Sequence, residues 1–588
     1  MRKIIGLLVL SVAAAVIFNS CKKNFDNEQY TQTTTPTIPD LTSQITTSVA
    51  GFITNENDSA VSGAVITAGT QTATTNQFGY FNISNVSLSK TAALVAVTYA
   101  GYFNGYRTFI AQPGKQSFIR LKLIPKTAIG TINAATGGTA TTSDGASVTL
   151  PANAVVLESN NTSYTGTIHV AAHWINPTDT INLPLNMPGN LLGIDTSGYL
   201  KILETFGMLA VELTDGSGNL LQIATGKQAT LSFPIPPALT ASAPVSLPLW
   251  SFNDSTGLWK QESSATKTGS NYTGNVSHFS YWNCDMGYSP VPFTAQIVDS
   301  SLHPLVNTNV IVTGSQYVGY NHGYTDTSGF IYGMVPANAD LQLHVYTLCN
   351  AISYSKEFSS FNSPIDFGTL VDSSDDVITI TGSAIDCDNE PVTNGIALIH
   401  SNNQNIITTI TQGSFSIHTA ALGCIDPNAY ITIIDSNGNI QSASQSLDLH
   451  IGVNNIGTIS ACTLNTDVYL TYSIDGGTPA ITATVIDYNE PGNTGDSTTI
   501  LCEDPGTLWE LYFNYAGPQL IGSYTLGKNF YLEGPLGIYN YSSPFTINIT
   551  EFGAIGAFIS GNFTFTGIPE SSTVTHTVTC SFRYRRKY

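Results

Sequence analysis

The chain has 588 residues and a formal net charge of −20, and only 10% of its residues are charged. This length is too great for one hydrophobic core and indicates about four domains. The excess of negative charge repels phosphate backbones, so we expect no binding to nucleic acid. Apolar residues make up 42% of the chain and aromatic residues 10%, which excludes disorder for most of it.

The N-terminus has the pattern of a secretory leader. Two basic residues precede an apolar run over residues 4–18. This run is shorter than the roughly 20 residues that span a bilayer, so it predicts a signal peptide over residues 1–20. Ser20 before Cys21 resembles a bacterial lipobox, with Phe18 where leucine is usual. The resemblance implies cleavage before Cys21 and lipidation of its thiol and amine. An ordinary signal peptide with an unmodified cysteine is the alternative.

Residues 22–48 are rich in Thr, Gln, Asn and Pro and show no apolar periodicity. We therefore predict that residues 21–48 comprise the lipidated cysteine and a flexible tether, which lifts the folded part away from a lipid surface. A short buried strand in this range is the alternative.

Residues 49–126 show short strands separated by frequent turns. A polar turn leads into Gly63-Ala64-Val65, and Thr75 precedes a Gly79-Tyr80-Phe81 hairpin. This order resembles the carboxypeptidase regulatory-like domain, a seven-stranded sandwich related to transthyretin. The resemblance implies a β-sandwich that is not the catalytic part of an enzyme. A generic immunoglobulin-like sandwich is the alternative, and it implies the same lack of chemistry.

Residues 127–285 form a larger predicted β unit. Apolar and polar residues alternate over residues 164–170, and a long strand over residues 204–213 ends at a turn beginning with Asp215. These segments together resemble a segment of cartilage intermediate layer protein and its relatives. The resemblance implies an extracellular structural module with no catalytic residues.

Residues 291–371 and 377–462 repeat features of residues 49–126, namely a threonine-rich strand that ends at Gly329-Phe330 or at Gly413. We interpret the three ranges as copies of one sandwich. Residues 465–588 have longer, aromatic-rich strands and predict a C-terminal β-sandwich or partly closed barrel. The predicted fold is therefore all-β, a string of immunoglobulin-like or transthyretin-like sandwich domains.

Seven cysteines follow Cys21, and no two of them have the two-residue spacing of a zinc or thioredoxin motif. In an oxidising compartment some of them are expected to pair, although an odd number cannot pair completely within one chain. The spacing does not give the connectivity. These residues are Cys284, Cys349, Cys387, Cys424, Cys462, Cys502 and Cys580.

The sequence contains no catalytic signature. A Gly-x-Ser-x-Gly elbow, a phosphate-binding loop and a His-Glu-x-x-His array are all missing. His169 and His173 share a strand pattern that places them about 13 Å apart, too far for one metal ion. The acidic turns at Asp215 and Asp386 lack a full calcium-ligand series and are predicted to be turns of hairpins. We predict no catalytic residue, no cofactor and no metal ligand.

Tryptophan is the remaining candidate for ligand contact, because sugar rings stack on flat aromatic faces. Trp250, Trp259 and Trp282 lie close together in the sequence of the middle unit. Burial in a sandwich core is the usual position of such side chains and is the favoured prediction.

The combined prediction is a non-enzymatic lipoprotein of a Gram-negative outer membrane, at its periplasmic face or on the cell surface. Its leader and modules resemble those of Bacteroidetes-type lipoproteins. The lipid on Cys21 attaches it to the membrane, and a stalk of sandwiches serves adhesion or presents a glycan or protein ligand. Two alternatives stay open: a glycan-binding accessory lipoprotein of a polysaccharide uptake system, and an unrecognised hydrolase.

Overall fold

The computed structural model describes residues 38–585 except for short internal segments: 315–320, 348–349, 375–376, 402–403, 421–425, 427, 436–439, 463, 466–468, 476–479, 483–485, 489–496, 505–508, 517–521, 527–529, 535–536, 542–543, 553–557 and 571–572. The predicted signal peptide, the predicted lipidation of Cys21 and most of the predicted tether lie outside the described residues. No helix within the described ranges has the length and apolar character needed to cross a bilayer.

The prediction of an all-β fold is confirmed. In the part of the chain that the structure describes, the helical elements are one short helix, α1 (Leu183–Asn186), and one 3-10 turn, Pro237–Leu239. All other regular elements are strands.

Seven strands form the first sandwich. One sheet has the order β4-β1-β7 and the other has the order β3-β2-β5-β6. Their core contains buried aliphatic side chains such as Val49, Ile66 and Val95. The strands are β1 (Gln44–Thr54), β2 (Val65–Ala68), β3 (Gln71–Thr74), β4 (Tyr80–Ser89), β5 (Ala93–Thr98), β6 (Gly105–Phe109) and β7 (Gln116–Lys122).

Strand β1 begins at Gln44, inside the range predicted as tether, so the prediction of a flexible tether up to residue 48 is wrong at that end. Gln44 pairs with Ser89 at the far end of β4. Thr47 is 1% exposed, and its hydroxyl donates to the Lys115 carbonyl at 2.9 Å. Polar residues that alternate weakly hide this strand from a hydropathy pattern, but β-branched threonine favours the extended backbone.

The middle unit is one sheet of 13 strands. Its longest strand pairs with four others, so the sheet curls around two apolar clusters, one of which contains Phe233 and Trp282 and the other Trp250 and Trp259. The strands are β8 (Ala128–Asn133), β9 (Gly138–Thr141), β10 (Ser147–Leu150), β11 (Val155–Leu157), β12 (Thr167–Ile175), β13 (Leu192–Ile194), β14 (Leu200–Thr214), β15 (Leu220–Ile223), β16 (Ala229–Pro234), β17 (Ser246–Asn253), β18 (Leu258–Thr268), β19 (Asn271–Val276) and β20 (Tyr281–Tyr288).

The second sandwich repeats the strand order of the first. Its sheets run β24-β21-β27 and β23-β22-β25-β26, and its first and last strands pair in parallel, as β1 and β7 do. The strands are β21 (Pro290–Val298), β22 (Asn309–Gly314), β23 (Asn321–Tyr324), β24 (Phe330–Pro336), β25 (Asp340–Tyr346), β26 (Ile352–Ser359) and β27 (Ile365–Val371).

The third sandwich has the same plan with small additions. One sheet is β31-β28-β35, and the other runs β30-β29-β32-β33-β36, with β34 also paired to β32. The strands are β28 (Val377–Ile385), β29 (Gly395–Ser401), β30 (Gln404–Ile410), β31 (Ser414–Ala420), β32 (Tyr430–Asp435), β33 (Ile440–Gln441), β34 (Gln445–Ser446), β35 (Gly452–Ser460) and β36 (Leu464–Asn465).

The C-terminal unit is a sheet of 11 strands, all antiparallel where their pairing is described. The strands are β37 (Tyr469–Ile474), β38 (Ala480–Thr482), β39 (Ile486–Tyr488), β40 (Ser497–Asp504), β41 (Trp509–Ala516), β42 (Gly522–Leu526), β43 (Phe530–Gly534), β44 (Gly537–Tyr541), β45 (Phe545–Phe552), β46 (Phe558–Pro569) and β47 (His576–Arg585).

The string of sandwiches folds back on itself, because the first sandwich packs against the third. Phe52 and Phe118 of the first sandwich share an apolar cluster with Leu398 and Ile407 of the third. Strand β29 is consequently buried on both faces, since alternate residues such as Ile399 point into its own core. This arrangement brings four parts of the chain around common clefts.

A disulfide joins Cys387, in the turn after β28, to Cys462, just after β35, and their Cα atoms are 4.6 Å apart. It closes a loop with a sequence separation of 75 residues, which corresponds to about 4 kcal/mol in the chain-entropy treatment of cross-links. We expect the double variant C387S/C462S to lower the free energy of unfolding of the third sandwich by about 2–4 kcal/mol in urea titrations. Reductant should destabilise the wild type and leave the variant unaffected. Equal midpoints for the two proteins without reductant would contradict this expectation.

Candidate functional site

A cleft of about 810 Å³ lies where the first sandwich, the middle unit and the second and third sandwiches meet. Its lining includes Arg120 of the first sandwich, Pro184 of the middle unit, Tyr324 and Tyr346 of the second sandwich, and His400 of the third. We call it the central cleft. Its volume is in the range of small-ligand sites, and such sites are common where domains meet.

Arg120, in β7, is the cation of the central cleft. Its guanidinium carbon lies over the rings of Phe52, Phe118 and Tyr324, at 5.4, 5.3 and 5.7 Å from their centroids. One nitrogen also donates to the backbone carbonyl of Asn405 in the third sandwich. Burial lowers the pKa of Arg120, and the nearby Tyr324 acts in the opposite direction. Aromatic faces and a carbonyl thus stabilise a charge that has lost its water.

Arg107, in β6, lies beside Arg120 and binds the middle unit. Its guanidinium donates to the carbonyls of Leu185 at 2.9 Å, Gly189 at 3.3 Å and Arg120 at 3.2 Å. Burial lowers its pKa to about 10. Among the residues that the structure describes, neither arginine forms an ion pair with a carboxylate, and the Nε atom of each lacks a hydrogen-bond partner. Two desolvated guanidinium groups without a counter-ion suit the recognition of an anionic group.

His322 and Asn309 add acceptors to the same cleft. His322 Nε2 donates to the Pro184 carbonyl at 2.5 Å. This bond leaves Nδ1 as a bare acceptor, and Nδ1 has no partner within the described residues. Burial lowers the pKa of His322 to about 3, with a further contribution from the charge of Arg107, so the ring is neutral. Asn309 Oδ1 also lacks a partner there. The central cleft therefore offers both cationic donors and neutral acceptors.

The three tryptophans that sequence analysis weighed as sugar platforms are buried in the middle unit. Trp250, Trp259 and Trp282 are 1%, 0% and 0% exposed. Each indole N–H donates to a carbonyl, as that of Trp259 does to Asn190 at 2.8 Å. They occupy the core positions that the sequence favoured, and the central cleft does not include them.

The other residues singled out from the sequence are not brought together. His169 and His173 both lie in β12, on the face opposite its buried residues. Asp215 caps the turn between β14 and β15, where its Oδ1 accepts the backbone N–H groups of Ser217 and Asn219, each at 2.8 Å. Asp386 makes the same kind of turn after β28.

A second cleft, of about 390 Å³, lies at the middle unit and is lined by several acids. Glu212 pairs with Lys126 at 2.9 Å, and Glu262 pairs with Lys260 at 3.0 Å. Burial opposes ionisation of Glu262, but the hydrogen bonds and charges of Lys260 and His278 prevail and lower its pKa. Glycoside cleavage requires a proton donor with a raised pKa, and Glu262 has the opposite property.

A carboxyl with a raised pKa lies elsewhere, deep in the paired strands β14 and β20. Asp285 is 0% exposed and Glu204 is 5% exposed. Burial raises the pKa of Asp285 well above its usual value, and the charge of Glu204 adds to the shift. Neither residue lines the central cleft or the acidic cleft, so we assign this pair a structural role.

Asp285 should make the protein less stable as the pH rises. Its pKa is higher in the native state than in the unfolded chain. The native state therefore binds the proton more tightly, and the resulting stability is greatest below about pH 4. Relative to D285N, the wild type should lose about 1.4 kcal/mol per pH unit above that point until the native carboxyl ionises. Urea titrations from acid to neutral pH measure this difference. The control D215N removes a carboxyl whose pKa is lowered instead, by hydrogen bonds from Asn219, so it should keep the decline. A parallel stability profile for D285N would contradict the assignment.

Sequence reasoning did not find Arg107, Arg120 or His322, because they come from two sandwiches that are distant in sequence. One signal was present. Arg120 interrupts the apolar residues Phe118, Ile119 and Leu121 of a strand, in a chain with only 20 basic residues. A cation within an apolar strand indicates either a covered surface or a site.

The repeated sheets and the shared cleft define a multi-domain β-sandwich protein. No family model matches the chain. A segment of 110 residues, 18% of the chain, is 32% identical to cartilage intermediate layer protein 2 of Homo sapiens, and it spans only 9% of that protein. Among solved structures, the shaft pilin SpaA of Lactobacillus rhamnosus GG is 10% identical with a TM-score of 0.16, covering 29% of this chain and 98% of the pilin. The Bacillus anthracis TIE protein is 10% identical with a TM-score of 0.14, covering 72% of each chain. These TM-scores are low, so the fold is assigned from the sheets of the chain itself.

Proposed function

We propose that the chain is a lipid-anchored, non-enzymatic protein of a Gram-negative cell envelope, in which β-sandwich domains serve adhesion or hold a ligand at the central cleft. The observation that carries the proposal is the cleft itself, where two buried guanidinium groups have no carboxylate partner among the described residues. The leader and the Ser20-Cys21 pair support the anchor. The resemblance to Bacteroidetes-type lipoproteins supports placement in the outer membrane.

The anchor is tested by metabolic labelling with radioactive palmitate. The wild type should take up label and sediment with membranes, whereas C21S should do neither, because the acylated thiol is missing. The variant C462S controls for cysteine loss in general and should stay labelled. Label in C21S, or a wild type in the soluble fraction, would refute lipid anchoring at this residue.

The adhesion role requires exposure on the cell surface. Protease added to intact cells should remove the protein while a periplasmic marker enzyme stays intact. Complete protection would place the protein at the periplasmic face and exclude direct adhesion.

Binding of an acidic glycan is the second candidate, and the central cleft is the observation that favours it. Arg120 is suited to a carboxylate or sulfate group, and Tyr346 provides an aromatic lining beside it. An array of neutral and uronate-bearing oligosaccharides tests this candidate. Wild type should bind the uronate-bearing members, R120M and Y346A should lose most of that binding, and Y164A should retain it, because Tyr164 lies in the middle unit outside the cleft. A blank array, or equal binding by all variants, would count against the glycan candidate.

A further inference from the structure

Three potential metal ligands converge between the second and third sandwiches. Asp299 and His303 lie in the turn after β21, and His418 lies in β31. Their ligand atoms all lie within 4.8 Å of one another. Asp299 Oδ2 is 3.2 Å from His303 Nδ1 and 3.6 Å from His418 Nδ1.

Asp299 is fixed by its own turn. Its Oδ1 accepts the backbone N–H groups of Ser301 and His303, each at 2.8 Å. Its side chain is 6% exposed. These bonds engage one carboxylate oxygen and direct the other, Oδ2, towards both histidines, so the oxygen is held in place before any ion arrives.

His418 is held from its far side. Its Nε2 lies 3.2 Å from the Ser416 hydroxyl, and its Nδ1 lies 3.1 Å from the Thr379 hydroxyl. A hydrogen bond at the distal nitrogen is the usual support of a metal-bound imidazole. Burial lowers the pKa of His418, and the neighbouring His303 adds to the shift while Asp299 opposes it. The neutral form that results is the form that binds metal.

We propose that Asp299, His303 and His418 bind a divalent transition-metal ion such as Zn²⁺, which cross-links the second and third sandwiches. Tetrahedral Zn²⁺ with bonds of about 2.1 Å places neighbouring ligand atoms about 3.4 Å apart, and the observed 3.2 and 3.6 Å lie on either side of that value. The two imidazole rings are stacked, with centroids 4.3 Å apart. His303 therefore has to turn its ring towards the ion, and its side chain is 53% exposed and free to do so. A cavity of about 170 Å³ beside His418 has room for water as the fourth ligand.

The turn itself does not require these ligands. In the first sandwich, Asn55 accepts the corresponding N–H groups of Asn57 and Ser59, at 3.0 Å each. In the third sandwich, Asp386 does the same with Glu390 at the last position. Asp299 and His303 thus occupy turn positions at which the first sandwich has asparagine and serine, and the substitutions D299N and H303S preserve the turn.

Calorimetric titration of the full-length protein with ZnCl₂ near neutral pH tests the site. Wild type should bind one ion per chain at this site, and D299N, H303S and H418A should each bind it about tenfold more weakly or worse. H169A, which removes an exposed histidine of β12, should match the wild type. Zn²⁺ should also raise the melting temperature of the wild type and not that of D299N. CaCl₂ should bind far more weakly, because imidazole is a poor ligand for Ca²⁺. Unchanged Zn²⁺ affinity in D299N and H418A, or no binding by the wild type, would overturn the proposal.

Discussion

Replacing Gly79 by alanine should lower the free energy of unfolding of the first sandwich by about 3 kcal/mol or more. Gly79 has φ +70°, a conformation that L side chains rarely adopt. A Cβ atom there would lie 2.3 Å from the Ile53 carbonyl oxygen and 3.2 Å from the Val61 nitrogen. Both obstacles are backbone atoms of paired strands, so neither can move aside without breaking the sheet. Urea unfolding of the full chain, followed by circular dichroism, measures the loss.

Gly114 provides the control for this prediction. It has φ +67°, but a Cβ atom added there would meet nothing within 4 Å. G114A should therefore cost only the backbone strain, about 1 kcal/mol. If G79A and G114A lose the same stability, the close approach to Ile53 carries no weight and the assignment of Gly79 as a packing glycine is wrong.

Gly79 also explains why the sandwiches were visible in the sequence. Gly329 and Gly413 have φ +75° each and lie at the corresponding hairpins of the second and third sandwiches. A glycine before an aromatic residue thus marks one local conformation that recurs three times. Local conformation of this kind depends on neighbours in sequence, and a single sequence therefore predicts it well.

Contacts between sandwiches were not predicted, because they depend on residues that are distant in sequence. Arg120 meets Tyr324 only because the first and second sandwiches pack together, and His418 meets Asp299 only across the next interface. Neither pair has a spacing that a motif could record. The uninterrupted apolar run of β29 was the one indication of such packing, since a strand buried on both faces loses its alternation. The middle unit's tryptophans were predictable for the opposite reason, as large apolar side chains are buried wherever a core exists.

Leu398 and Ile399, neighbours in β29, test whether the first and third sandwiches associate as the structure indicates. Both are 0% exposed, but Leu398 belongs to the cluster shared with the first sandwich and Ile399 to the core of the third. An unpaired carboxylate buried at either position costs about 3–5 kcal/mol. In L398D the two sandwiches can separate and expose the charge to water, whereas in I399D the charge reaches water only if the third sandwich unfolds.

L398D should therefore keep its β-sheet circular dichroism while its radius of gyration in X-ray scattering increases. Protease should then cleave it between sandwiches and release folded fragments. I399D should instead lose the cooperative unfolding transition of the third sandwich, because Ile399 has no route to solvent in the folded state. If L398D unfolds as I399D does, or keeps the wild-type radius of gyration, the shared cluster does not hold the sandwiches together. In the second case the central cleft would also lose its explanation, because Arg120 reaches the third sandwich only across this interface.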